Sequence, residues 1–243
     1  VGKLDGQVAI VTGASRGIGL GIAKALAREG ASLVMTARGK EALLAAADEI
    51  RIHGVEVVAE PGDVSEPAYV DGLFARTKER FGWLDLLVNN AGAFDGGPID
   101  ELPLEAWERV MGTNLTGPFL CTQAALRLMK PQQQGRIINI GSISAQRVRP
   151  HSAAYSASKH GLWGLTQVTA LEGRPHGITC GCLHPGNVLV PHRENSDNPQ
   201  DAEPMMRTED IAEVALLMAS LPKDVEMLEA KVLPREQLYV GRG

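Results

Sequence analysis

Aromatic side chains are scarce: three Trp, three Tyr and four Phe make up 4% of the 243 residues. The core must therefore be filled mainly by Ala, Val, Ile and Leu, and a hydrophobic content of 44% supplies them. Cysteine is scarcer still. Cys121, Cys180 and Cys182 are too few for a disulfide framework, and Cys-Gly-Cys does not match paired zinc-ligand spacing, so buried thiols are expected. No apolar run approaches the roughly 18 to 20 residues that span a bilayer. The amino end shows no basic segment leading into a signal-like stretch, and the expectation is a soluble, cytoplasmic protein with no membrane partner. Excess positive charge is also missing, and a formal net charge of −5 excludes a broad phosphate-neutralising surface for nucleic acid. His151, His160, His184 and His192 show no metal-binding spacing, and no metal site is expected.

What is present is alternation. A β-branched apolar run over Gln7–Thr12 meets a glycine-rich turn, and helical spacing begins at Ile18 and continues to Arg28. Strands are predicted over Ser32–Thr36, Val55–Glu60, Leu84–Asn89, Arg136–Gly141, Ile178–Leu183 and Leu228–Leu233. Helices are predicted over Lys40–His53, Glu66–Phe81, Leu104–Lys130 with a bend at Pro118, Ser152–Glu172 and Thr208–Ser220. Such alternation specifies an α/β fold, a doubly wound parallel sheet with helices on both faces. No repeat or linker divides it, and one domain over residues 1–243 is expected. The stretch after Gly186, about 187–207, lacks periodicity and follows a strand's carboxyl end, which marks it as a substrate loop.

The turn Thr12-Gly13-Ala14-Ser15-Arg16-Gly17-Ile18-Gly19 lies between the first strand and the first helix. Glycines there allow a tight turn and close backbone approach, and unpaired N–H groups at the helix start suit a pyrophosphate. Gly13, Ser15, Arg16, Gly17, Ile18 and Gly19 are thus expected to bind a dinucleotide. At the end of the second strand, Thr36-Ala37-Arg38 offers no carboxylate for an adenosine ribose hydroxyl. Arg38 and Arg16 instead suit the additional 2′-phosphate of NADP, the alternatives being two solvated arginines and NAD as cofactor.

Tyr155-Ser156-Ala157-Ser158-Lys159 opens a predicted helix, where residues four apart project from neighbouring turns of one face. An ammonium beside a phenol stabilises the charge left on oxygen when the proton departs. Ser142 follows the strand Arg136–Gly141 and is placed to hydrogen-bond a substrate oxygen.

These segments together resemble the short-chain dehydrogenase/reductase family. The resemblance rests on TGASRGIG at Thr12 to Gly19, NNAG at Asn89 to Gly92, Ser142 and YSASK at Tyr155 to Lys159, with Asp63-Val64, Asn114 and Pro185-Gly186 in matching order. It implies sheet order 3-2-1-4-5-6-7 and oxidoreductase activity on a small alcohol or ketone. It also implies a homo-oligomer, dimer or tetramer. By this resemblance Tyr155 is the acid/base, Lys159 lowers the cost of its ionisation and holds the ribose, Ser142 positions the carbonyl, and Asn114 interrupts its helix and holds a relay water. On sequence pattern alone Asn114 reads as a surface polar residue. The resemblance further places Asp63 and Val64 near the adenine, Asn90, Ala91 and Gly92 near the adenosine ribose, and Pro185, Gly186 and the Val188 backbone near the nicotinamide.

Two departures stand out. Val190 occupies a position where family members often have threonine, and the carboxyl end lacks the usual glycine-rich Asp-Gly-Gly segment. A protein of this fold that senses a dinucleotide without catalysis is the alternative reading, and the intact Ser142, Tyr155 and Lys159 argue against it.

Overall fold

The computed structural model describes residues 2–193 and 203–239. The first half runs β1 (Val8–Thr12), α1 (Gly17–Arg28), β2 (Ser32–Ala37), α2 (Lys40–Arg51), β3 (Val57–Pro61), α3 (Pro67–Phe81) and β4 (Leu86–Asn89). The second runs α4 (Leu104–Met111), a π-helical turn (Gly112–Thr116), α5 (Gly117–Gln132), β5 (Gly135–Ile140), α6 (Ala153–Gly173), β6 (Ile178–Pro185), α7 (Thr208–Ser220) and β7 (Glu229–Val232). All seven strands pair in parallel in one sheet of order β3-β2-β1-β4-β5-β6-β7, the order that the sequence resemblance implies.

Strand periodicity divides the core between the two faces. Ala9, Val11, Leu33, Met35, Leu86 and Val88 pack with residues of α1, α2 and α7, whereas Val8, Ile10, Val34 and Leu87 pack with residues of α3, α5 and α6. Every residue of β1 is buried, because a parallel central strand is covered on both sides. Full burial of each Val, Leu or Ile contributes about 1.5–3 kcal/mol. A charge at Ile10 would therefore remove that contribution and add the cost of an unpaired ion.

The chain progresses outward from β1 to β3, then returns to the other side of β1 as β4. Register aligns the carboxyl ends: Thr12 pairs with Thr36, Val11 with Val88, and Asn89 with Asn139. A crevice opens where the two progressions diverge, and in open α/β sheets this is where ligands bind.

One helix differs from the sequence expectation. The stretch predicted as continuous over Leu104–Lys130 is divided by the π-helical turn, and the break precedes Pro118 instead of falling on it. The physical reason is local. An α-helix directs the N–H of residue 118 to the Asn114 carbonyl, but proline has no N–H. Pro118 itself sits in the first turn of α5, where a missing N–H is tolerated.

Candidate active site

A cleft of about 830 Å³ lies across the carboxyl ends of the strands, within the size range of small-molecule sites. It brings together all the expected site residues except Gly19 and Asn114, which sit behind its wall.

The glycine-rich turn forms one end. Thr12 fixes it to β4: its Oγ1 accepts the Asn90 and Ala91 N–H groups, both at 3.0 Å, and donates to the Val88 carbonyl at 3.4 Å. Asn90 closes the same junction by donating Nδ2 to the Thr12 and Gly13 carbonyls at 2.9 and 3.1 Å. Gly13 has φ +64°, and a Cβ there would lie 2.8 Å from the Ala91 Cα. At Gly19 a Cβ would lie 2.3 Å from both the Gly13 carbonyl oxygen and Asn90 Nδ2. Gly19 thus acts through close packing of α1 on the turn, and not by facing the cleft.

This end fits an anionic dinucleotide. Arg16 is the residue preceding α1, no side chain caps the helix, and its first turn contains no acidic residue. The N–H groups at that end are left for a ligand in the cleft, with the helix dipole favouring negative charge. Arg38 follows β2, its side chain 62% exposed and its Nη1 3.9 Å from Asp63 Oδ2. The other oxygen of Asp63 is engaged by Ser65, from N–H at 2.9 Å and Oγ at 2.8 Å.

Ser142, Tyr155 and Lys159 form the other end. Ser142 follows β5, and its Oγ accepts the Ser144 N–H at 3.1 Å, which leaves the hydroxyl proton available to donate. Tyr155 and Lys159 project from the first turns of α6, with Nζ 5.6 Å from the centre of the phenol ring. Lys159 is 4% exposed, and Nζ donates to the Ile140 carbonyl at 2.8 Å. That contact draws the ammonium to the carboxyl end of β5. Phe94 packs edge-on against Tyr155, ring centres 5.4 Å apart, and forms an exposed apolar wall beside it.

Asn114 is fully buried, which corrects the surface reading. Its Oδ1 accepts the Ala93 N–H at 2.7 Å, and its Nδ2 donates to the Ala93 carbonyl at 2.9 Å and to Ser158 Oγ at 3.2 Å. The side chain therefore ties the segment after β4 to α6, and both elements supply residues to the cleft.

Further groups meet at the expected substrate loop. Arg149 lines the cleft and reaches Asn187 Oδ1 at 3.4 Å and Glu203 Oε2 at 3.5 Å. Asn187 Nδ2 donates to the same Glu203 oxygen at 2.7 Å, and Val188 bridges to Met206. These contacts join the described ends of the expected substrate loop; residues 194–202 and the His192 side chain lie outside the described residues. His151 is exposed, has φ +61°, and does not line the cleft. Burial pushes the Cys121 and Cys182 thiols up to about 12 and Cys180 well above the ordinary thiol range. All three are packing groups, not nucleophiles, at neutral pH. Among the described residues no group of three or more His, Cys, Asp or Glu is arranged to hold a metal, and no helix is long and apolar enough to cross a membrane.

The model of the family described as short chain dehydrogenase matches residues 7–201. The chain belongs to that family. It is an oxidoreductase of the short-chain dehydrogenase type, which acts between an alcohol and a carbonyl group. It is 40% identical over 205 residues to a 3-oxoacyl-[acyl-carrier-protein] reductase of Synechocystis, covering 84% of this chain and 81% of that one. It is 39% identical over 188 residues to a D-beta-hydroxybutyrate dehydrogenase of Cupriavidus necator, covering 77% and 73%. Among solved structures, a metagenomic short-chain oxidoreductase in complex with NADP superposes with a TM-score of 0.84 at 35% identity, covering 96% of this chain and 98% of that one.

Proposed function

We propose that this short-chain dehydrogenase is an NADP(H)-dependent carbonyl reductase and alcohol dehydrogenase with Tyr155 as its acid/base. One observation carries the reading: a phenol, a buried ammonium and a serine hydroxyl meet in the same cleft as an uncapped helix terminus flanked by two arginines. The bound cofactor supplies hydride to a carbonyl carbon, or accepts it from the alcohol.

The chain's own residues do the remaining work. Gly13, Ser15, Arg16, Gly17 and Ile18 hold the pyrophosphate with backbone N–H groups, and Gly19 keeps the cradle closed against Asn90. Arg38 and Arg16 take the 2′-phosphate, because a guanidinium presents paired N–H donors to phosphate oxygens. Asp63 and Val64 flank the adenine, Asn90 to Gly92 the adenosine ribose, and Pro185, Gly186 and the Val188 backbone the nicotinamide.

Ser142 donates its hydroxyl proton as a hydrogen bond to the substrate oxygen and fixes its direction. Tyr155 transfers the phenolic proton to that oxygen in reduction and removes it in oxidation. Negative charge develops on the phenol as the proton leaves, and the buried Lys159 ammonium beside the ring stabilises it. Two of the three Lys159 donors remain for the ribose after the bond to Ile140. Asn114 keeps the Ala93 segment and α6 in register, and the Asn114 carbonyl, denied an α-helical donor by Pro118, is left to accept from a relay water. The substrate enters between Phe94, Arg149 and the start of the expected substrate loop at Asn187, Val190 and Pro191.

The test is consumption of reduced cofactor, followed by absorbance, with NADPH or NADH and a carbonyl panel. By likeness to the oxoacyl reductase and the hydroxybutyrate dehydrogenase, the panel begins with 3-oxo and 3-hydroxy acyl compounds. Stoichiometric oxidation of NADPH with formation of the alcohol is expected. Binding of NADPH with no turnover across the panel would favour a dinucleotide-sensing protein.

A further inference from the structure

His184 plays no part in the chemistry above, yet it lies directly behind it. It is fully buried at the end of β6, one residue before Pro185. Its Nδ1 is 2.9 Å from the Ser142 carbonyl oxygen and 3.3 Å from the Ser142 nitrogen. The two contacts exclude each other, because the first needs a proton on Nδ1 and the second, in which the Ser142 N–H points at the ring, needs a lone pair there. The shorter, to the carbonyl acceptor, assigns the proton to Nδ1 and leaves the Ser142 N–H without that partner. The carbonyl also accepts the Ala145 N–H at 2.9 Å, so both of its lone pairs are used.

The ring has little room to leave. Trp163 of α6 packs edge-on against it with centres 5.6 Å apart, and a Cβ on Gly141 would lie 2.6 Å from Nδ1. Gly141 thus permits the histidine to approach the very turn that carries the serine. On the far side, Nε2 makes no hydrogen bond among the described residues and faces Glu229 Oε1 at 3.6 Å. Glu229 is held in turn by Lys231 at 3.2 Å and by a short contact from Gln146, which follows the Ser142 turn. The ring thus lies between the Ser142 turn and β7, a strand that contributes nothing to the cleft lining, with its hydrogen bond directed to the Ser142 carbonyl.

We propose that His184 is a positioning residue for the reaction: its Nδ1–H, donated to the Ser142 carbonyl, holds the turn that presents the serine hydroxyl to substrate. This rests on the reading of Ser142 given above. A histidine in this role moves no proton during turnover, and Asn, whose Nδ2–H occupies nearly the same place as Nδ1–H, serves in its stead. Leu fills the volume without a donor, and Gln carries its donor one bond further out.

The experiment compares wild type with His184→Asn, His184→Gln and His184→Leu, using NADPH and ethyl acetoacetate as the 3-oxo probe. His184→Leu is expected to lose about 10- to 100-fold in kcat, the range that follows displacement of a reacting group by up to about 1 Å. NADPH binding is expected to remain close to wild type in every variant. His184→Asn retains most of kcat with an unshifted pH profile, and His184→Gln does not. Unchanged kcat in His184→Leu, or equal losses in Asn and Leu, overturns the proposal. Should the Leu variant fail to fold, the Asn and Gln pair decides, and equal losses again overturn it. Nitrogen chemical shifts of His184 in the wild-type protein supply a readout free of turnover: the proton is expected on Nδ1, and a proton confined to Nε2 overturns the proposal. A protein with Nδ1–H in place that reduces no ketone sinks the assignment of Ser142 and Tyr155 while leaving the brace standing.

Discussion

Replacing Arg38 with Ala tests how the cleft would distinguish its two possible cofactors. The guanidinium follows β2, is 62% exposed, and among the described residues has only the long 3.9 Å approach to Asp63 to release before meeting a phosphate. A hydrogen bond to a charged group contributes about 1.5–3 kcal/mol, and exposure of this side chain places the expected loss toward the lower end, about 1–2 kcal/mol. At about 1.4 kcal/mol per tenfold, NADPH binding weakens about 5- to 30-fold. NADH lacks the 2′-phosphate and keeps its affinity. Asp63 adds a second effect: with Arg38 removed its Oδ2 loses the nearby guanidinium, and a phosphate bound where Arg38 stood would meet that charge uncompensated. Asp63→Asn in the Arg38→Ala background is therefore expected to raise NADPH affinity relative to NADH. Titration of reduced-nicotinamide fluorescence at low and high salt measures both constants, and the difference between cofactors contracts as salt screens the exposed pair. Equal weakening of NADPH and NADH would refute the assignment of Arg38 to the phosphate.

Two further consequences follow from buried polar groups. Asn114→Leu leaves both the N–H and the carbonyl of Ala93 without their partners, and unfolding by denaturant is expected to show a loss of about 2–5 kcal/mol; a loss below about 1 kcal/mol would contradict the tie between the Ala93 segment and α6. His184 contributes an acid-sensitive component of stability. Burial holds its pKa below the ordinary imidazole value of about 6.5, against the opposing effects of the Ser142 carbonyl and Glu229 and with the help of Lys231 and Lys159. Below that value the unfolded chain binds a proton that the folded chain refuses, so stability is complete above pH about 6.5 and falls as the pH is lowered through the folded-state pKa. The wild-type minus His184→Asn difference in unfolding free energy between pH 8 and pH 5 is expected to show this decline, and a difference independent of pH would contradict it.

Much of the architecture was legible because its signals are local. A β-branched run, a glycine turn and helical spacing between Gln7 and Arg28 specify β1 and α1 with nothing from the rest of the chain, and the spacing of Tyr155 and Lys159 follows from helix geometry alone. The misses share a different cause. Asn114 looked like a surface residue because its partners, the Ala93 peptide and Ser158, lie 21 and 44 positions away. Asn90 carried a ribose expectation, and the bond that fixes its side chain reaches back 78 positions to Thr12. His184 showed no pattern at all, since its partner Ser142 is 42 residues upstream, in the turn after the adjacent strand. The helix break had a readable cause, proline in place of a donor, but the bend was expected at the proline and not in the turn that precedes it.

The central claim is that Tyr155 exchanges the proton. Single-turnover reduction of a 3-oxo substrate by enzyme and NADPH, wild type against Tyr155→Phe, tests it most directly, since the substitution removes one oxygen and spares the ring that packs on Phe94. A fall in the chemical step of about 10²- to 10⁴-fold is expected, with NADPH affinity nearly unchanged. A Tyr155→Phe enzyme that reduces the substrate at close to the wild-type rate would contradict it.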